Sequence, residues 1–118
     1  MEQTTQAITS TILSKDIVAV VKDSCPYCVS LKSALTRLGL LKRALFIGEA
    51  DNLFAELRSA VKDKFLHKTV PAVFIRGRFV GGYDSFQKIE KSVSNLLSLP
   101  FLDRTLVLTK EGVVHAST

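Results

Sequence analysis

A short apolar run that leads directly into two cysteines is the feature that most constrains how this chain folds. Residues Ile17–Val21 are all apolar and mostly β-branched, which is typical of a short strand buried on both faces. A helical pattern follows from Cys25, and Pro26 suits the first helical turn. Its apolar face comprises Cys28, Leu31, Leu35 and Leu38, and Gly39 is a natural stop. The pattern predicts a buried strand that delivers the cysteine pair to the N-terminus of a helix.

The other periodic segments extend this strand–helix unit into an α/β domain. They predict helices over Thr4–Leu13 and from Asp51 onward, and strands over Arg43–Ile47, Ala72–Ile75 and Arg78–Val80. A last helix is predicted to be capped by Asp84 or Ser85. Its apolar side would consist of Phe86, Ile89, Val93 and Leu96. Arg76-Gly77 is a two-residue hairpin signal, although such turns need positive φ where the arginine stands. The order predicts a four-stranded mixed sheet flanked by helices on both faces.

We expect residues 1–97 to form this domain and residues 98–118 to form a C-terminal extension outside its plan. Within the extension, Thr105–Thr109 alternates between apolar and polar residues, and Gly112 offers a turn. A small extra strand or hairpin is one interpretation of this pattern. A loosely attached tail is the other.

Composition and charge exclude several classes of protein. The net charge is +5, but the Lys and Arg residues are scattered and form no basic and aromatic stripe, so nucleic-acid binding is not expected. No apolar run approaches the ~20 residues that a membrane-spanning helix needs. The N-terminal sequence has neither a basic start nor an apolar signal core, so we expect a reducing compartment, the cytosol by default. We also expect the protein to be a monomer.

The chain contains only two cysteines, and their spacing favours redox chemistry over a structural role. With His67 and His115 as the only histidines, the second half of a structural zinc site is missing. Cys25 is expected at a helix N-terminus, near free N–H donors and the cation of Lys22. Such surroundings lower a thiol pKa from ~8.5 to roughly 3.5–7.5. Cys28 lies about one turn further in and is more shielded from solvent.

Two further segments have the composition of a binding edge. In His67-Lys68-Thr69-Val70-Pro71, a cis peptide before Pro71 would let Val70 offer its N–H and C=O to an extended ligand; otherwise the proline merely begins an edge strand. In Gly81-Gly82-Tyr83-Asp84-Ser85, paired glycines allow close backbone approach, and Asp84 can take an ammonium group. A simple strand-to-helix turn is the alternative for this second segment.

Taken together, Lys22, Cys25-Pro26-Tyr27-Cys28, Thr69-Val70-Pro71 and Gly81-Gly82 resemble the glutaredoxin family, dithiol branch. The resemblance implies a thioredoxin-like fold, glutathione or a related thiol as cosubstrate, and reduction of protein disulfides and glutathione mixed disulfides. It implies that Cys25 is the nucleophile and Cys28 the resolving thiol. By the same resemblance, the residues that bind glutathione are Lys22, Tyr27, His67, Val70, Pro71, Gly82, Asp84 and Ser85. His67 stands where the family often has Gln, so its contact with the glycine carboxylate of the ligand is expected to be weaker or to depend on pH.

Two other functions remain open at this point. One is a dimer that holds a [2Fe–2S] cluster between two Cys25 thiolates and two glutathiones. Two features disfavour this function: Pro26 stiffens the loop, and Cys28 competes with the cluster for Cys25 by closing a disulfide. The other is a thioredoxin-like donor reduced by a flavoenzyme. The absence of Trp and the Pro-Tyr pair between the cysteines disfavour this second function.

Overall fold

A computed structural model describes residues 2–114 of the chain. The last four residues, including His115, lie outside this range. Its strands are β1 (Ile17–Val20), β2 (Ala44–Ile47), β3 (Ala72–Ile75) and β4 (Arg78–Gly81). Its helices are α1 (Glu2–Ile12), α2 (Pro26–Arg37), α3 (Phe54–Phe65), α4 (Tyr83–Ile89) and α5 (Val93–Ser98).

The four strands form one mixed sheet in the order β2-β1-β3-β4. β1 is parallel to β2, and this pairing places Ala19 beside Phe46. The other two pairings, β1 with β3 and β3 with β4, are antiparallel. A parallel pair needs a crossover, and α2 supplies it between β1 and β2. The mixed four-stranded sheet predicted from the sequence is therefore confirmed.

The apolar side chains of β1 alternate between two cores, one on each face of the sheet. Ile17, Ala19 and Val21 pack with apolar residues of α2, α4 and α5. Val18 and Val20 pack with apolar residues of α1 and α3 on the other face. Because both faces are covered, a continuous run of apolar residues can form a strand without exposing any of them.

The turn between β3 and β4 adopts the conformation that the sequence signal requires. Arg76 has φ 48° and Gly77 has φ 88°, so both central residues are left-handed, as a two-residue hairpin demands. Arg76 is held by an ion pair with Asp16 at 3.1 Å and by a hydrogen bond from its Nη1 to the Leu99 carbonyl at 2.8 Å. These contacts offset the cost of positive φ at an arginine.

The helices depart from the sequence prediction in three ways. The single last helix was wrong, because the 3₁₀ turn Glu90–Ser92, where Glu90 pairs with Arg37 of α2 at 2.7 Å, separates α4 from α5. Neither Asp84 nor Ser85 caps α4: the Gly82 carbonyl accepts the Phe86 N–H at 3.0 Å, so both lie inside the first turn. Leu38 was expected on the buried face of α2 but is 38% exposed, because α2 ends at Arg37.

The part of the extension up to residue 114 folds back over the hairpin and forms no strand. It contains two 3₁₀ turns, Arg104–Leu106 and Lys110–Gly112, and touches β4 through an isolated bridge between Phe79 and Val113. The extra strand, one of the two interpretations of Thr105–Thr109, therefore does not form, and the burial of Val107 and Leu108 does not fit a loosely attached tail either. The division into a domain of residues 1–97 and an extension of residues 98–118 stays a prediction. Among the described residues, no helix has the length and apolar content required to span a bilayer.

Candidate active site

Cys25 occupies the residue immediately before α2, as the sequence predicted. Its backbone is extended (φ −87°, ψ 118°), and its carbonyl accepts hydrogen bonds from the N–H groups of Cys28 and Val29, both at 3.1 Å. Pro26 follows as the first helical residue, where the missing N–H breaks no hydrogen bond. The Cys25 thiol is thus placed beside the free N–H groups of the first turn. Both cysteines carry free thiols.

The surroundings of Cys25 favour its thiolate. Desolvation acts to raise the pKa of the Cys25 thiol, but hydrogen bonds from the backbone and thiol of Cys28 and from the Tyr27 backbone, together with the charge of Lys22, outweigh it. The net result is a pKa below the ordinary value for cysteine. Hydrogen bonding to the charged form and a nearby cation are the two effects that stabilise a thiolate.

The surroundings of Cys28 act in the opposite direction. Its side chain is 2% exposed and belongs to the core between the sheet and α2. Burial raises the pKa of the Cys28 thiol to about 11; the hydrogen bond and charge of Cys25 act in the same direction, whereas a hydrogen bond from the Lys22 backbone and the charge of Lys32 act to lower it. The pair therefore combines a thiol that ionises readily with one that stays protonated at neutral pH.

The loop before β3 lies directly against Cys25. The Val70–Pro71 peptide bond is cis, which is the first of the two alternatives that the sequence left open. The Cys25 thiol lies 3.5 Å from the Val70 carbonyl oxygen, within hydrogen-bond distance for sulfur. This contact joins the backbone edge that precedes β3 to the reactive sulfur.

A groove of about 620 Å³ opens beside Cys25 and contains all eight residues that the sequence assigned to ligand binding. These are Lys22, Tyr27, His67, Val70, Pro71, Gly82, Asp84 and Ser85. Segments far apart in the chain meet here, because the β1–α2 turn, the loop before β3 and the start of α4 lie at the same end of the sheet. The Tyr27 and Tyr83 rings, 6.5 Å apart, stand on one side of the groove. The structure thus brings the predicted set together, while its role in binding stays a prediction.

Arg58 of α3 also lines the groove and was not anticipated from the sequence. Its Nη2 donates a hydrogen bond to the Lys68 carbonyl oxygen at 2.8 Å, and its guanidinium lies over the Phe54 ring at 5.8 Å. With Lys22 and Lys68, it makes three cations against one carboxylate, Asp84, among the groove residues. The groove therefore favours a ligand with more than one negative group.

His67 is anchored to the loop that it belongs to. Its Nε2 lies 3.1 Å from the Pro71 carbonyl oxygen. A carbonyl oxygen can only accept, so Nε2 is the donor in this hydrogen bond. The ring also packs edge-on against Phe79 at 5.4 Å.

The two glycines at the end of β4 are required by the close packing of this wall. Gly81 has φ 123°, and a Cβ there would lie 2.7 Å from the Ser85 Oγ. A Cβ on Gly82 would lie 3.2 Å from the His67 ring. The end of β4 therefore lies close to Ser85 and His67, while approach of a ligand to these glycines stays a prediction.

Comparisons with known proteins agree with the motifs. The model of the glutaredoxin family matches residues 14–80. Rice glutaredoxin-C6 is 39% identical over 75 residues, which are 63% of this chain and 65% of the rice protein. Arabidopsis thaliana glutaredoxin-C2 is 34% identical over 66% of this chain and 69% of its own. The rice match thus spans slightly less than two thirds of that relative's length.

Solved structures give the same result for the fold. The dithiolic glutaredoxin of Trypanosoma brucei brucei superposes with a TM-score of 0.68 at 30% identity, covering 77% of this chain and 95% of that one. A wheat glutaredoxin superposes with a TM-score of 0.71 at 28% identity, covering 83% and 96%. The expected thioredoxin-like fold is therefore confirmed. Because the family model covers more than half of its length, this chain belongs to the glutaredoxin family.

Proposed function

We propose that this chain is a glutathione-dependent thiol–disulfide oxidoreductase that reduces glutathione mixed disulfides and protein disulfides. The observation that carries the proposal is the placement of Cys25, a thiol of lowered pKa at the start of α2, beside a groove sized for a peptide-like ligand. Cys28, one turn further in and buried, serves as the resolving thiol.

The charges of the groove support glutathione as the ligand. Glutathione carries two carboxylates and one ammonium group. Lys22, Arg58 and Lys68 suit a carboxylate, and Asp84 suits the ammonium group of the γ-glutamyl end. The backbone of Val70 suits the peptide-like middle of the ligand, with its sulfur at Cys25. The fold is shared with a buckwheat glutaredoxin that was solved in complex with glutathione.

The same placement explains how a glutathione mixed disulfide is reduced. The Cys25 thiolate attacks the glutathione sulfur, the original S–S bond breaks, and the target leaves as a thiolate that takes a proton from solvent. A second glutathione thiolate then attacks the bound glutathione, releasing oxidised glutathione and restoring the Cys25 thiolate. A lowered pKa makes Cys25 a good leaving group in this second step, which is the larger benefit, since intrinsic nucleophilicity falls with pKa.

Protein disulfides need both cysteines. Cys25 attacks one sulfur of the target to form a mixed disulfide. Cys28 then attacks Cys25, the target leaves with both of its thiols reduced, and a Cys25–Cys28 disulfide remains. Two glutathiones reduce that disulfide and leave as oxidised glutathione.

Steady-state turnover of a glutathionylated peptide and of insulin, with glutathione as reductant, tests this division. We expect the Cys25→Ser variant to lose both activities to the uncatalysed background. The Cys28→Ser variant is expected to keep peptide deglutathionylation within about threefold of wild type but to lose most insulin reduction, because only the second reaction needs a resolving thiol. Equal loss of both activities in the Cys28→Ser variant would contradict the proposal.

The identity of the reductant is tested separately. The oxidised protein is expected to be re-reduced by glutathione and not by a thioredoxin reductase with its nicotinamide cofactor. Rapid re-reduction by the flavoenzyme alone would favour the thioredoxin-like alternative. A monomer in the cytosol that acts on disulfide-containing and glutathionylated proteins remains part of the proposal.

A further inference from the structure

Helix α2 carries a half-buried lysine, Lys32, one turn beyond Cys28. Residues four apart on a helix share a face, so the side chains of Cys28 and Lys32 lie on the same side of α2. The Lys32 Nζ lies 5.0 Å from the centre of the Phe46 ring on β2. Phe46 packs against the core that contains Cys28 and pairs with Ala19 of the same core. The ammonium group is thus held at the edge of the core in which the resolving thiol is buried.

We propose that Lys32 is a positioning residue for the resolving step: its charge, held on the Phe46 ring, favours the thiolate of Cys28. This inference rests on the proposed function for its biological meaning but concerns a step that can be measured without glutathione. It assigns Lys32 to the dithiol reaction alone.

The resolving step shows why a cation is needed there. The Cys28 thiol must lose its proton to solvent, attack the Cys25 sulfur of the mixed disulfide and expel the other sulfur as a thiolate. The charged state of Cys28 is disfavoured in the apolar core. A cation that lies on a ring and not in bulk water offsets part of this cost, and cation–π contact keeps it in place.

The other groups around Cys28 do not provide this charge. The other buried residues of the core cluster that contains Cys28 are apolar, among them Ala19 of β1, Val73 of β3 and Phe86 of α4. The Lys22 backbone donates a hydrogen bond that lowers the Cys28 pKa, and the charge of Lys32 lowers it as well, whereas Cys25 raises it. The charge of Lys22 acts on Cys25, and Lys32 is absent from the influences on that thiol.

Stopped-flow reaction of the reduced protein with Ellman's reagent separates the two thiols. Attack by Cys25 releases a first thionitrobenzoate at a rate that depends on reagent concentration. Attack by Cys28 on the Cys25 mixed disulfide then releases a second thionitrobenzoate, at a rate that is independent of reagent concentration. We expect Lys32→Met to leave the first phase unchanged and to slow the second measurably, by up to about threefold, because the loss of Cys28 thiolate is only partly offset by its greater nucleophilicity.

Two further variants distinguish an electrostatic role from a structural one. Lys32→Arg keeps a cation on the Phe46 ring, so its second phase is expected to be as fast as in wild type. Lys64→Met removes an exposed charge from α3, on the opposite face of the sheet, and is expected to change neither phase. In a Cys25→Ser background, Lys32→Met is expected to raise the pKa of Cys28, followed by thiolate absorbance, and Lys32→Arg to leave it unchanged.

An unchanged second phase in Lys32→Met would overturn the inference. So would slowing of both phases, or slowing of the second phase with an unchanged Cys28 pKa, since each points to a structural role. Failure of glutathione turnover in wild type, with these phases as expected, would overturn the proposed function and leave the role of Lys32 intact.

Discussion

Cys25 and Cys28 lie one helical turn apart, yet their environments act on the two thiols in opposite directions. Hydrogen bonds at the start of α2 and the charge of Lys22 lower the pKa of Cys25 despite desolvation, whereas burial raises that of Cys28 to about 11. A lowered pKa means that the thiolate is retained as the pH falls below ~8.5, where free cysteine becomes protonated. Attack by Cys25 should therefore lose rate only when the pH falls through its own lowered pKa.

The relative weight of these influences predicts an order among variants. Cys28→Ala removes the hydrogen bond from the Cys28 thiol to Cys25 but keeps the hydrogen bond from the Cys28 backbone. Lys22→Met removes only the charge of Lys22, which has a weaker effect on the Cys25 pKa than that thiol hydrogen bond. Both should raise the pKa of Cys25, the alanine variant by more. The rate of Cys25 alkylation by iodoacetamide against pH measures this, with Lys64→Met as the charge control. A larger rise of the Cys25 pKa in Lys22→Met than in Cys28→Ala would contradict this order of influences.

Most groove residues were predictable because motifs marked them, but Arg58 was not. Lys22 and Tyr27 flank the cysteines, and Val70 and Asp84 stand beside Pro71 and the paired glycines. Arg58 lies in the middle of α3, next to the buried Leu57, where an arginine usually faces solvent. Only the packing of α3 against the loop before β3, through its bond to the Lys68 carbonyl, places it in the groove.

At the scale of elements, the β3–β4 hairpin requires glycine at its second turn position. A Cβ on Gly77 would meet Leu13 Cδ2 at 2.8 Å and Leu102 Cβ at 3.1 Å, in addition to the strain of its positive φ. Gly77→Ala should therefore lower the free energy of unfolding by about 1–3 kcal/mol. Gly48→Ala, which has open space and no positive φ, should change it by less than about 0.5 kcal/mol. Urea unfolding compares the two, and equal effects would refute the steric argument.

Periodicity predicted every strand of the sheet, since an apolar run between turn signals leaves few alternatives. It did not predict where α4 begins and ends. The first hydrogen bond of α4 uses the Gly82 carbonyl, and the 3₁₀ turn Glu90–Ser92 meets Arg37 of α2. Both depend on contacts between elements that sequence periodicity does not contain.

At the scale of the whole molecule, the extension closes one side of the sheet. The Leu102 N–H donates to the Arg76 carbonyl at 2.9 Å, and the Val114 N–H donates to the Phe79 carbonyl at 2.8 Å. Val107 and Leu108 are buried in the core shared with α1 and α3. A strand over Thr105–Thr109, one of the two interpretations of this segment, does not form because the Asp103 carboxylate accepts the Thr105 N–H and hydroxyl, which turns the backbone.

Burial of the extension has a measurable consequence. Leu108→Ala should lower the free energy of unfolding by roughly 2–3 kcal/mol, because Leu108 is 9% exposed and its removal leaves a cavity. Leu106→Ala, at a residue 37% exposed, should cost under about 1 kcal/mol. Thermal or urea unfolding of both variants checks this. Similar small losses would mean that the extension contributes little to the core.

The opposite behaviour of the two thiols is the claim on which the proposed chemistry depends, and a titration of thiolate absorbance in the reduced protein tests it directly. One thiol should ionise below the ordinary cysteine value of ~8.5, and this transition should vanish in the Cys25→Ser variant. The other should ionise only near the pKa of about 11 of Cys28. Two thiols that ionise together near the value of free cysteine would contradict the account.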